Sequence, residues 1–192
     1  MESTQGDSQG PLEPLAQPSQ ADQRAAVEVR RATLADVDGI CRVLAEGWRD
    51  TYEGLLPAER VERVIAENYN PERVRGEVEQ ASGWDGWLVA EDRGEIVGAG
   101  GGGMVGATSG EVFVLYVAPS RRGEGIGTRL LQAITDQQLA QGAREQWVTV
   151  LKGNKKGLPF FEARGFLPWE QRSARRSAPI DNSPNLRLWR YI

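Results

Sequence analysis

Histidine is absent from the 192-residue chain, and cysteine occurs once, at Cys41. Without histidine there is no Ser-His or Cys-His catalytic pair and no histidine-ligated zinc or haem. A single cysteine excludes an internal disulfide, a CxxC redox pair and a thiolate metal cage. No metal site is therefore expected, and a reducing, cytoplasmic setting is the natural one. No apolar run approaches the roughly 18 residues that would cross a bilayer. Basic residues are not in excess either: 23 against 27 acidic give a net charge of −4. That balance argues against a nucleic-acid partner.

What is present divides into a tail and a body. Residues 1–24 are dominated by Gln, Ser, Pro and Gly and hold no aromatic or β-branched apolar side chain. Such a segment buries too little surface to offset its ordering entropy, so it is expected to be disordered. It lacks the basic and apolar regions of a secretory signal. Its Glu2, Asp7, Glu13 and Asp22 outweigh Arg24 by three charges, leaving the body nearly neutral. Residues 25–192, in a chain that is 40% hydrophobic, suffice for a single domain.

The body alternates helical and strand signals. Val27 and Val29 alternate with charges, a short strand. Thr33 and Asp36 form a capping-box pair ahead of Val37, Ile40, Cys41 and Leu44 at helical spacing, with Cys41 on the core face. Pro57 and Pro71 open further helical stretches. Beyond residue 83 the period changes. Residues 87–90 read as a strand, Asp92-Arg93-Gly94 as a turn, and residues 96–97 as the return strand. Residues 111–117 (EVFVLYV) are the strongest strand. A helix is expected over 124–140, a strand over 147–151, and a short helix over 158–164 ending at Gly165. Strands from Phe166 and over 186–192 close the chain. This pattern predicts a mixed α/β fold, with helices packed on a partly antiparallel sheet.

Three glycine-rich stretches are candidates for ligand contact. Residues 98–103 (GAGGGG) match G-x-G-x-x-G literally. No helix can open at the third glycine, however, and the next acidic residue, Glu111, is too close for a dinucleotide fingerprint. The stretch instead reads as a strand that another backbone or a ligand approaches closely. Residues 152–157 (KGNKKG) lack P-loop spacing and read as a basic loop leading into a helix capped by Asn154. Gly123, Gly125 and Gly127 carry more information, because they follow a buried strand and open a long helix. Unpaired N–H groups and the positive end of the helix dipole meet there, glycine leaves room for a phosphate, and Arg122 adds a charge-assisted donor.

Residues 117–127 (VAPSRRGEGIG) resemble the acetyl-CoA signature R/Q-x-x-G-x-G/A of the GNAT N-acetyltransferase family. Asn154 followed by residues 160–166 (FFEARGF) is similar to that family's later motif, and residues 48–54 (WRDTYEG) with Pro57 to a common version of its first inter-helix loop. The resemblance covers residues 27 to about 170. It implies the GNAT fold, a central and mostly antiparallel sheet flanked by helices, with acetyl-CoA as cosubstrate. It also implies transfer of the acetyl group to a primary amine of a small molecule or peptide by direct attack in a ternary complex. Arg122, Gly123, Gly125, Ile126, Gly127 and Thr128 would hold the diphosphate. The Val117 backbone would bind the pantetheine arm and polarise the thioester carbonyl, and Asn154 would sit near the thiol end. Family members often pair as homodimers, a further implication.

Two proton transfers remain to be assigned. Glu111 opens the strand where several family members place a carboxylate base, and a solvated strand-start glutamate is the equal alternative. The family's usual leaving-group acid, a tyrosine, falls on Phe161. Either another phenol serves, with Tyr116 or Tyr52 as candidates, or the thiolate leaves to water, or the chain binds acyl-CoA as a sensor or partner protein without efficient turnover. Trp48, Tyr52 and Trp84 are candidate acceptor walls, with core packing the simpler reading of Trp84. Arg172, Arg175 and Arg176 read as a solvated cluster, or as a contact for an acidic acceptor.

Overall fold

The computed structural model describes residues 27–80, 83–169 and 185–192. Residues 1–24, with their expected disorder, and the arginine cluster at 172–176 lie outside the described residues. In chain order the elements are β1 (Val27–Arg31), α1 (Val37–Tyr52), α2 (Ala58–Asn68), α3 (Pro71–Glu79), β2 (Leu88–Asp92) and β3 (Glu95–Met104). They continue with β4 (Ser109–Val117), α4 (Ile126–Ala140), β5 (Glu145–Leu151), α5 (Gly157–Glu162), β6 (Leu167–Pro168) and β7 (Asn185–Tyr191). The strands form one sheet in the order β1-β2-β3-β4-β5-β7-β6. Only β4 and β5 run parallel, so the partly antiparallel sheet expected from the pattern is present, and it is mostly antiparallel, as the family resemblance implies.

Alternation along each strand builds two cores. Leu88 and Ala90 pack with Ile126, Leu130 and Ile134 of α4 on one face of the sheet. Val89, between them, packs with Ile40, Val43 and Leu44 of α1 on the other. The hairpin between β2 and β3 turns through Arg93 (φ 51°) and Gly94 (φ 85°). Both are left-handed, as a tight two-residue turn requires.

Two local expectations change. A single 3-10 turn, Leu34–Asp36, intervenes before α1. The Thr33 N–H and hydroxyl donate to Asp36 at 2.7 and 2.9 Å, and the expected capping-box pair is present at the start of that turn. Residues 48–52, expected in a loop, are the last turn of α1. Leu44, Trp48 and Tyr52 continue its four-residue stripe and are all buried, so packing extends the helix.

Asp36 is 5% exposed and receives the Arg30 guanidinium at 2.8 Å. That contact first, then the Thr33 donors, hold its pKa at about 2 against the burial that would raise it. A depressed carboxylate contributes stability above its unfolded pKa, near 4, and loses it as pH falls through the folded value. The wild type is expected to lose about 2 kcal/mol more between pH 4 and pH 2 than Asp36→Asn does, read by denaturant unfolding at each pH. Parallel losses would show that the pair carries no such coupling.

The glycine run makes β3 a strand with almost no side-chain thickness. A Cβ on Gly101 would lie 2.4 Å from the Trp84 ring, and one on Gly102 would lie 2.2 Å from the Glu111 carbonyl oxygen. The Asp85 N–H donates to the Gly102 carbonyl at 2.8 Å. The close approach read from the sequence is therefore that of the segment at 84–86 and of β4. Buried Gln138 of α4 fills the space beside Gly102 and Gly110. It donates to the Glu111 carbonyl at 2.9 Å and accepts from Gln146 at 2.8 Å.

Candidate active site

The site originates in a fault in the sheet. Between β3 and β4 the register shifts so that Phe113 is the extra residue, opposite the Gly101–Gly102 step. Such a bulge bends its strand. β4 and β5 pair only from Ser109 with Glu145 to Val112 with Val148. Beyond that point they part, and the backbone of residues 113–117 has no partner on the β5 side. A cavity of about 400 Å³ opens in the gap.

Most of the residues singled out in the sequence meet here. Val117, Arg122, Gly123, Gly125, Ile126, Gly127, Thr128 and Asn154 all line the cavity, together with Tyr116 and Tyr52. Gly123 and Gly125 each have φ +83°, and nothing lies within 4 Å of the place where a Cβ would stand. The turn is therefore open where side chains would stand, at the cavity wall and the N-terminus of α4, a place that favours anions. Gly127 is a packing glycine, since its Cβ would meet the Phe160 ring at 3.0 Å. Asn154 is buried, and its side-chain oxygen Oδ1 accepts from the N–H groups of Lys156 and Gly157 at 3.1 and 2.7 Å. It therefore caps α5, as expected, while also lining the cavity.

The two arginines of the turn have different tasks. Arg121 is held by Asp92 and Glu124, both at 2.8 Å. Arg122 pairs with Asp50 from the end of α1, and Lys156 pairs with the same carboxylate oxygen. Lys156 Nζ also donates to the Asp50 carbonyl at 2.7 Å. Burial acts to raise the Asp50 pKa, but the bonds from Lys156 and Arg122 outweigh it and hold the carboxyl below its usual value. Two cations lining the cavity are thus already gathered around one anion. Neither Asp50 nor Lys156 was legible as a site residue, because they lie 106 positions apart. The Arg164 guanidinium also lines the cavity, lying over the Phe160 ring at 3.8 Å and donating to Thr128 at 3.1 Å.

The phenols form a cluster. The Tyr52 and Tyr116 hydroxyls are 3.3 Å apart, and the Trp48 ring packs on Tyr52 at a tilt of 46°, with centroids 4.4 Å apart. Burial first, then the nearby Tyr52 and Tyr69 phenols, push the Tyr116 pKa well above the ordinary value. Burial likewise raises Tyr52 and pushes Tyr69 to about 12. Phe161 is 7% exposed and packed edge-on against Phe160 and Phe166, so no acid stands there.

Glu111 does not line the cavity. It sits where β4 and β5 are still paired, opposite Trp147. Its carboxylate accepts from Thr149, a cavity residue, at 3.2 Å and from Arg187 at 3.3 Å. One hydrogen bond therefore separates it from the cavity. Trp48 and Trp84 line a second groove, which shares Phe113 and Val114 with the first.

Known proteins share this fold. The spermidine N(1)-acetyltransferase of Thermoplasma acidophilum is 27% identical over 151 residues, 73% of this chain and 88% of its own length. An uncharacterized N-acetyltransferase of Archaeoglobus fulgidus is 31% identical over 141 residues, covering 64% of this chain and 82% of its own. Among solved structures, the PaiA N-acetyltransferase of Thermoplasma acidophilum in complex with coenzyme A superposes with a TM-score of 0.75 at 22% identity, over 86% of this chain and 99% of its own. The ribosomal-protein-alanine N-acetyltransferase of Brucella melitensis follows the same fold at a TM-score of 0.57 and 20% identity, over 86% and 99%. The model of the Acetyltransferase (GNAT) family matches residues 45–166, the stretch that builds both the glycine turn and the parted strands, and the chain belongs to that family of acetyl-CoA-dependent N-acetyltransferases.

Proposed function

We propose that this chain transfers the acetyl group of acetyl-CoA to a primary amine, with the cosubstrate lying in the gap between β4 and β5. The observation that carries this is the glycine turn at Gly123 and Gly125, open to the mouth of that gap. The residues fit the group. An extended arm can take up the unpaired backbone of residues 113–117, and a diphosphate suits the open glycine turn, a helix N-terminus and the Arg122–Lys156 pair. The homologue named for spermidine supports a small amine acceptor.

Acetyl-CoA supplies the thioester, whose carbonyl carbon the amine attacks directly. The Val117 backbone N–H stabilises charge growing on the carbonyl oxygen. Tyr116, bonded to Tyr52, holds a proton for the departing sulfur, the part that Phe161 cannot play. Glu111 draws the ammonium proton through Thr149, and Arg187 holds its carboxylate in place at 3.3 Å. Calorimetry is expected to give one acetyl-CoA per chain, and absence of binding would remove the basis of this assignment.

Asp50 competes with the phosphates for Arg122 and Lys156. Asp50→Asn is expected to tighten acetyl-CoA binding by about 3–10-fold, since partly exposed ion pairs contribute up to ~1 kcal/mol each. A weaker complex would show that Asp50 positions the two cations instead.

A further inference from the structure

The charges around the cofactor cavity are unevenly spent. Four cations line it, Arg121, Arg122, Lys156 and Arg164, and no carboxylate does. Arg121 is answered by Asp92 and Glu124, and Arg122 and Lys156 share Asp50. Arg164 differs from all three. It donates to the Thr128 hydroxyl and the Phe160 carbonyl, and among the described residues no carboxylate is bonded to it. Burial lowers its pKa, with no acid acting to raise it. Behind it stands Arg190, a second cation bonded, among the described residues, only to neutral groups.

Several contacts fix this guanidinium in place. Its plane lies over the Phe160 ring at 3.8 Å. Nη1 donates to the Phe160 carbonyl at 2.7 Å and Nε to Thr128 Oγ1 at 3.1 Å, with Nη2 on the same hydroxyl. The Arg164 carbonyl accepts from Arg190 Nη1 at 2.9 Å. Arg190 in turn reaches Thr135 of α4 at 3.0 Å and Gln146 of β5 at 2.8 Å, so the end of α5 is tied to both. A guanidinium carries five N–H donors, and these contacts use three, which leaves two. Thr128 Oγ1 accepts twice, which fills its lone pairs and leaves its own O–H to donate. Unused donors and a positive charge thus gather at the cavity wall beside the first turn of α4.

Building on the acetyl-transfer reading above, we infer that Arg164, with the Thr128 hydroxyl, binds the 3′-phosphate of coenzyme A and selects it over cosubstrates that lack this group. With the acyl arm inward along residues 113–117, the nucleoside leaves the glycine turn on its outer side. One sugar ring separates the 3′-phosphate from the diphosphate. One helical turn separates Gly125 from Thr128, whose N–H donates to the Gly125 carbonyl at 3.1 Å. The charges match as well. A phosphomonoester brings about −1.5 to −2 charges at neutral pH, and a planar guanidinium meets it as a fork. Arg122 and Lys156 must release Asp50 to engage a phosphate, whereas Arg164 gives up no ion pair to do so.

Calorimetry on the full chain with coenzyme A and with 3′-dephospho-coenzyme A separates the possibilities. The wild type is expected to bind coenzyme A about tenfold more tightly than the dephospho form. Arg164→Ala is expected to erase that preference, weakening coenzyme A about tenfold and changing the dephospho form less than about twofold. Thr128→Val keeps the branched shape and removes the hydroxyl, and is expected to weaken coenzyme A alone, by about three- to fivefold. It carries the comparison if Arg164→Ala does not fold. Equal losses for the two ligands in these variants would assign Arg164 and Thr128 to packing α5 against α4 and overturn the inference. Equal affinities for the two ligands in the wild type would overturn it whether or not either variant folds, and would leave acetyl transfer intact. If the wild type binds neither ligand, the cosubstrate assignment falls and the inference with it.

Discussion

Gly125→Glu is expected to weaken acetyl-CoA binding at least about 100-fold, with only a few degrees lost from Tm. Gly125 sits at φ +83° with nothing within 4 Å of its absent Cβ. The substitution therefore meets no packing clash and costs about 1–2 kcal/mol of backbone strain. Its main effect is local, because a carboxylate would stand where the turn and the α4 dipole present their positive end. Gly125→Ala separates the contributions, since it carries the strain without bulk or charge. A loss of about tenfold or less is expected for it. Calorimetry reads both variants, and thermal unfolding shows that the fold persists. Unchanged affinity in Gly125→Glu would mean that the diphosphate lies elsewhere.

Tyr116→Phe is expected to lower kcat about 100-fold while changing acetyl-CoA affinity less than threefold, the range of a lost general acid. Tyr116 is the phenol with the more strongly raised pKa, through burial first and then the neighbouring phenols. A raised value keeps the acid protonated to higher pH, so the phenol stays competent through the neutral range. The wild-type pH–kcat profile should therefore show no alkaline fall from this group below about pH 10. Tyr52→Phe removes the partner hydroxyl 3.3 Å away and should cost less. A kcat unchanged in both variants would show that the thiolate leaves without a phenol. Phe161→Tyr in the Tyr116→Phe background then tests whether the cavity wall at Phe161 can carry the acid.

The sequence was most informative where local chemistry decides structure. The glycines at 123 and 125 need positive φ, Arg93 and Gly94 make the hairpin, and Thr33 with Asp36 marks the entry to α1. Each is settled within a few residues. The end of α1 was not among them: packing of Leu44, Trp48 and Tyr52 carries the helix through residues 48–52, where a loop was expected, because aromatic and β-branched residues there have modest helix propensity. What could not be read depends on partners distant in the chain. The Phe113 bulge exists because β3 and β4 slip in register. Asp50 gathers Arg122 and Lys156 only after α1, the turn and the β5–α5 loop converge. Glu111 meets Arg187 across 76 positions, so its distance from the cavity was not visible from its place at a strand start. The run at 98–103 lies wholly inside β3, with no helix opening at it. Its role as the seat of Trp84 required the ring to be seen against it.

The most direct test follows the acetyl group itself. Acetyl-CoA labelled in its acetyl carbons is incubated with the protein and a panel of amines, and thiol, amide and protein are analysed together. Direct transfer predicts label in the amide, one free thiol for each amide formed, and none on the protein. Label that stays on the cosubstrate across the panel while binding is intact, or that accumulates on the protein, would contradict it.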